Sequence, residues 1–172
     1  GNGNKLSADL DVADAYYGGT SLILRGNMAK DTSSTIKLYA AELTAADNMI
    51  YTTAAKAKGT EITLNAVLEL EDGSVVTLEG DQNVGEEWTV VSYDTSSIIG
   101  KTIKSISYEI TSAEDVSGLQ LRFGNITMME ADSEENAAVS NLEVLDSEFD
   151  EDGMYAGVRL AWNSDTAADY YE

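Results

Sequence analysis

The stretch TEITLNAVLEL places Ile62, Leu64, Ala66, Leu68 and Leu70 at every second position. A period of two puts all five side chains on one face of a β-strand, whereas an amphipathic helix repeats its apolar face every 3.6 residues. The same period recurs along the chain. Leu6, Ala8 and Leu10 alternate with Ser7, Asp9 and Asp11, Leu22 and Leu24 flank Ile23, and Ile36, Leu38 and Ala40 alternate with Lys37 and Tyr39. After the longest run, Asp72-Gly73 supplies a hairpin turn pair, and Val76 and Leu78 a returning strand. Trp88–Tyr93, Ile103–Thr111 and Leu119–Met129 are further expected strands. Helix signals are confined to LTAADN and YDTSSIIGKTI, each long enough for one turn, the second capped by Asp94 or Ser96 and closing at Gly100. Short, regularly spaced strands joined by Gly, Ser, Asn and Asp predict an all-β fold, an antiparallel sandwich or barrel.

The 172 residues are enough for a full core, with 43% hydrophobic and 24% charged residues. No apolar run approaches the ~20 residues that span a bilayer. GNGNKL has no signal-peptide pattern, and the chain reads as a piece of something larger. With 10 Lys and Arg against 31 Asp and Glu, the net charge of −21 sets up a field that repels nucleic acid and anionic membrane surfaces. The absence of cysteine and histidine excludes disulfides, thiolate nucleophiles, histidine-based triads and the usual zinc sites within this chain.

The pattern breaks at Ala131–Ala138, where ADSEENAA has the composition of a linker, so a sandwich over 1–133 and a second unit over 134–172 are expected. The remainder, VSNLEVLDSEFD, MYAGVRLAWN and ADYYE, resembles the first three strands of a fibronectin type III domain, with Trp162 as the buried tryptophan and Tyr170 or Tyr171 on the third strand. Such a domain needs roughly 90 to 100 residues, as immunoglobulin-like sandwiches do, so this one would be incomplete. Three arrangements are open to it: a domain cut short, a tail packed on the main body, or a loosely held tail. The chain's lack of proline departs from the usual composition of these domains.

LDVADAYYGGTSLILRGNM, STIKLYAAELT, WTVVSYDTSSIIGKTIKSISYEIT and GLQLRFGNITMME resemble, over about residues 5–130, an accessory module of bacterial glycoside hydrolase family 85, the endo-β-N-acetylglucosaminidases that cleave N-glycans. The resemblance implies a jelly-roll, galactose-binding-domain-like sandwich of the carbohydrate-binding-module kind. It also implies a secreted or surface parent whose (β/α)-barrel carries a catalytic Asn and Glu. A barrel needs about 250 residues of alternating strand and helix; neither that length nor that alternation is present, so no catalytic residue carries over. The expected partners are the catalytic barrel of the parent chain and an N-glycan or other carbohydrate. A spacer without sugar affinity is the rival reading.

Among binding residues, Tyr16 and Tyr17 precede Gly18 and Gly19. They read either as a sugar-stacking pair, with Asp14, Arg25 and Asn27 to fix hydroxyls, or as a corner that sends one tyrosine into the sandwich. Trp88 is core if it shares a face with Val90, and a stacking residue if it sits at the strand mouth beside Gln82 and Asn83. Tyr39, Tyr93 and Arg122 are expected opposite the main apolar stripe, on an ordinary outer face or along a shallow groove. Asp9, Asp11 and Asp14 beside the first strand, with Glu130 on the last, form a candidate structural calcium site closing the two chain ends together. EFDEDG imitates the start of an EF-hand but has Arg159 where a bidentate glutamate belongs.

Overall fold

The computed structural model describes residues 4–16, 19–39, 42–131, 139–149 and 155–164; for Tyr39 and the last two stretches it describes the backbone alone. The architecture is all-β, two sheets facing each other across one core, as the alternation predicts.

The first sheet holds β1 (Lys5–Asp11), β2 (Ser21–Met28), β5 (Met49–Lys58), β8 (Thr89–Tyr93) and β10 (Val116–Glu130), in the antiparallel order β1-β2-β10-β5-β8. In the second sheet β3 (Ser33–Tyr39), β9 (Thr102–Ser112), β6 (Ile62–Leu70) and β7 (Val75–Leu78) lie side by side in that order, with the short β4 (Leu43–Thr44) also on β9.

Leu22, Leu24, Leu119, Leu121 and Phe123 reach into the core from the first sheet. All five alternating residues of β6 meet them from the second, none more than 1% exposed. Each such fully buried Leu or Ile is worth about 1.5–3 kcal/mol over an exposed one. The β6–β7 hairpin closes as a three-residue loop: Leu70 O accepts from Gly73 N–H, Leu70 N–H donates to Ser74 O, and Gly73 takes φ +81°, a left-handed conformation that costs glycine nothing.

The structure departs from expectation in four places. LTAADN is not helical but contains β4 and a turn, whereas the second helical signal does form one turn, Ser96–Ile98, which buries Ile98. Asp94 Oδ1 accepts from Ser96 N–H there and Gly100 adopts φ +73°, although the N-cap is Thr95. Leu10 is 45% exposed and the neighbouring Asp11 is buried. Ile23, on the outer side of β2, is as buried as the leucines that flank it. On β8 the inward stripe is Val91 and Tyr93 rather than Val90, so Tyr93 belongs to the core: its ring lies 4.6 Å from that of Tyr51, and its hydroxyl donates to Leu64 O.

Beyond the sandwich, β11 (Val139–Phe149) and β12 (Tyr155–Ser164) pair antiparallel, and β12 runs parallel to β3 through Val158↔Leu38 and Arg159↔Tyr39. The backbone of these strands thereby extends the second sheet. Residues 132–138, the side chain of Trp162, and Tyr170 and Tyr171 lie outside the described residues.

Candidate functional site

The loop after β1 does not turn directly back into β2. Its start is pinned by Asp11, whose Oδ1 accepts from Ala13 N–H at 3.0 Å and whose Oδ2 accepts from Arg122 Nε at 2.7 Å. From there the loop crosses outward over β2 and β10. Asp14 Oδ2 takes a hydrogen bond from Lys56 Nζ on β5 at 2.6 Å, and Asp14 Oδ1 one from Trp88 Nε1, just before β8, at 3.2 Å. With neighbouring strands about 4.8 Å apart, the reach from β1 to β5 is about 14 Å. Ser21 at the start of β2 completes the strap, its hydroxyl donating to Asp14 O at 2.7 Å.

This strap carries Tyr16 onto the outer face of the first sheet, where its ring centroid lies 5.5 Å from that of Trp88 at 51°. Beneath the pair, on β10, is Gly124, and a Cβ there would stand 2.6 Å from Tyr16 Cβ and 3.2 Å from Trp88 Cζ3. A side chain at this position would lift the tyrosine off the sheet. Tyr16 is 45% exposed, Trp88 is half-buried, and Lys56 Nζ lies 6.0 Å from the indole centroid, at the outer limit of a cation–π contact. The result is an angled aromatic corner bordered by the Asp14–Lys56 and Asp11–Arg122 pairs.

Trp88 therefore lies at the strand mouth and not in the core, because the buried parity of β8 is that of Val91. Arg122 is on the same outer face, fixed by Asp11, with its Nη2 donating to Gln120 Oε1 at 3.3 Å. Tyr16 stands outside the sandwich; Tyr17 lies outside the described residues, as does the side chain of Tyr39, a residue that ends β3 in the other sheet. Gly19 takes no left-handed conformation, and the glycine that shapes the corner is Gly124.

The four acids expected to converge on calcium do not. Asp9 faces Arg25 at 3.8 Å, Asp11 holds Arg122, Asp14 holds Lys56, and Glu130 lies at the far end of β10, opposite Met49 and well past the segment that pairs with β2. Among the described residues no group of three or more acids is placed to hold a metal ion. The geometric reason is that β10 outruns β2, so its end is not beside β1.

Where carboxyl groups among the described residues are perturbed, the shift is downward. Asp11 is lowered by the Ala13 N–H and Arg122, and Asp14 by the hydrogen bonds from Lys56 and Trp88. Glu69 is lowered chiefly by the Ser105 hydroxyl, Asp72 by Ser74, and Asp94 by the Ser96 N–H. These groups are held as carboxylates by their hydrogen-bond partners.

Lys56 and Gly124 were not legible as site residues in the sequence. Lys56 could have been placed outward from the alternation of β5, but its meeting with Asp14 depends on the pairing of distant strands.

A search of solved structures finds similar sandwiches in several proteins. The glycoside hydrolase domain of Endo-D from Streptococcus pneumoniae R6 is 26% identical with a TM-score of 0.62, the match covering 86% of this chain and 24% of that one. A carbohydrate-binding module described under the β-sandwich superfamily, with promiscuous specificity, matches at TM-score 0.55 and 11% identity over 75% of this chain and 58% of its own. The fold is that of the carbohydrate-binding-module β-sandwiches. The family 30 module of a Clostridium thermocellum cellulosomal cellulase matches at TM-score 0.50 and 13% identity, covering 74% of this chain and 84% of that one. The chain spans about a quarter of the Endo-D chain. No family model matches the sequence, and no curated protein does. No helix among the described residues is long and apolar enough to cross a membrane.

Proposed function

We propose that this chain is a non-catalytic carbohydrate-binding accessory module of an endo-β-N-acetylglucosaminidase, and that it contacts glycan at the Tyr16–Trp88 corner. The observation that carries the reading is the construction of that corner. Two partly exposed aromatic rings are held on a sheet face by Asp14, seated over a glycine, and bordered by charged side chains with hydrogen-bonding capacity. A pyranose stacks its C–H face on an aromatic ring and needs polar groups nearby for its hydroxyls. The 51° angle between the rings suits stacking on one ring with the edge of the other alongside.

The likeness to Endo-D supports the choice of parent. It reaches 86% of the chain, further than the 75% and 74% of the separate modules, in keeping with an accessory region that continues past the sandwich.

The rival is a spacer that holds the catalytic barrel. In its favour, Asp11–Arg122 and Asp14–Lys56 already satisfy each other and need no ligand. Calorimetric titration of the chain with chitobiose and with a high-mannose N-glycan separates the two. Saturable binding lost in Tyr16→Ala and Trp88→Ala, both still folded, is the expected result; no heat at millimolar glycan would leave the spacer.

A further inference from the structure

Among the described residues, the strand positions on the outer face of the first sheet carry more cations than acids, the reverse of the chain as a whole. Five of the chain's 10 cationic residues, Lys5, Arg25, Lys56, Lys58 and Arg122, occupy outward positions of its strands, as their registers and exposure show. Of the acids whose side chains are described, only Asp9 and Asp11 share those positions, and Asp14 reaches in from the strap. Among the described residues, five cations thus meet three acids on the strand positions of this face, with Glu86 and Glu87 at its β5 edge, where the whole chain has 10 cations against 31 acids.

These cations are not equivalent. Arg122 and Lys56 are engaged by Asp11 and Asp14 at 2.7 and 2.6 Å and serve to hold the strap. Arg25 is 44% exposed with Asp9 only at 3.8 Å, and Lys58 makes no ion pair among the described residues. Arg25 and Lys58 flank Gln120 in one row across β2, β10 and β5, through Arg25↔Gln120 and Gln120↔Lys58. Across two strand spacings the row is about 10 Å wide. Gln120 accepts from Arg122 through Oε1, which leaves its amide NH2 to donate. Ala57 N–H donates to Gly85 O, so Glu86 and Glu87 bound the row on its β5 side. Gln120 and Gly124 are four residues apart on β10, about 13 Å, which is within the span of a short oligosaccharide.

We infer that this face recognises an anionic glycan, its acidic group taken by Arg25, Gln120 and Lys58 while another ring of the same glycan rests on Tyr16 and Trp88. The inference rests on the reading of the aromatic corner as a sugar site and adds the class of sugar. The guanidinium of Arg25 offers a planar fork to a carboxylate or sulfate, and Lys58 a point charge. A molecule of charge −21 repels anions at long range, so the contact is local and depends on salt, with screening over about 8–10 Å near physiological ionic strength.

The test titrates the chain with lactose, sialyllactose, sulfated lactose and poly-glutamate at low salt. Sialyllactose or sulfated lactose binding roughly tenfold tighter than lactose is expected, as one charge-assisted contact gives; the stronger of the two names the acidic group. Lys58→Gln and Arg25→Gln, both folded by circular dichroism, should each lose about that factor for the acidic sugars and leave lactose unchanged. Equal binding of all three sugars overturns this inference and leaves the proposed function standing. Absence of binding by all three of these sugars overturns this inference alone, because the proposed function is decided by the chitobiose and high-mannose titration. Poly-glutamate binding as tightly as the acidic sugars would assign the face to an acidic polypeptide instead.

Discussion

Asp14 Oδ2 lies 2.6 Å from Lys56 Nζ, a contact across 42 residues that ties the strap to a strand three places away in the sheet. The same carboxylate holds the Trp88 indole, so one side chain positions both rings of the aromatic corner. Asp14→Ala should free the strap without unfolding the sandwich. A partly exposed ion pair is worth under about 1 kcal/mol, so thermal stability should hardly move. Trp88 emission, read in a Trp162→Phe background, should shift to the red, and glycan affinity should fall with it.

The ionisation of Asp14 makes this corner sensitive to acid. Lys56 and Trp88 hold its carboxyl below the ordinary 3.8. A depressed folded value stabilises the strap fully above pH ~4, and this contribution is lost as pH falls through the lower folded value. Trp88 emission in the same background should therefore be flat from neutrality to about pH 4.5 and change below pH 4, before the far-ultraviolet β signal is lost. A transition centred near pH 6 would contradict the assignment, since the chain has no histidine.

Gly124→Ala tests the seat of the tyrosine. The new methyl would stand 2.6 Å from Tyr16 Cβ, yet Tyr16 is on a loop and can move away. The fold should survive at a cost of about 1 kcal/mol, at the low end for overpacking. Sugar binding should fall as far as in Tyr16→Ala. A variant that binds glycan like the parent chain would show that the corner is not the site.

What the sequence made legible was set by how many strands a feature needs. The face of β6 depends on one strand, and all five predicted residues are buried. Ile23 was misplaced because alternation assumes a wet outer face, and on β2 that face is covered: Ser21, Leu22, Ile23 and Leu24 are all buried. Tyr93 was misplaced by parity, and two readings of Trp88 stayed open, since the irregular stretch between Gly80 and Thr89 gives no register from which to count. The corner itself joins Tyr16, Trp88 and Gly124, which only the order β10-β5-β8 brings together. Its residue types were readable one by one; their meeting was not.

The core contains a polar knot of the same long-range kind. Tyr108 OH lies 2.6 Å from Tyr51 OH and 2.5 Å from Thr53 Oγ1, all three residues buried. Tyr108→Phe removes two of the knot's bonds at once and should cost about 1–3 kcal/mol in urea unfolding. Tyr51→Phe removes the outer member only and leaves Tyr108 bonded to Thr53, so its cost should be the smaller. The reverse order would show that Tyr51, not Tyr108, is the centre of the knot.

Alkaline titration gives an independent view of these tyrosines. Burial, with the neighbouring tyrosine as a lesser cause, pushes the Tyr51 and Tyr108 hydroxyls far above the ordinary 10.0, and burial raises Tyr93 in the same direction. A raised folded value keeps the neutral hydroxyl favoured in the native state, so this stabilisation is complete below pH ~10 and is lost as the unfolded chain ionises above it. Of the chain's nine tyrosines, these three should stay silent in the phenolate absorbance while the sandwich persists. They should then ionise together with the loss of the far-ultraviolet β signal, and Tyr108→Phe should bring that step to lower pH. Smooth ionisation of all nine near pH 10 with the fold intact would contradict the buried cluster.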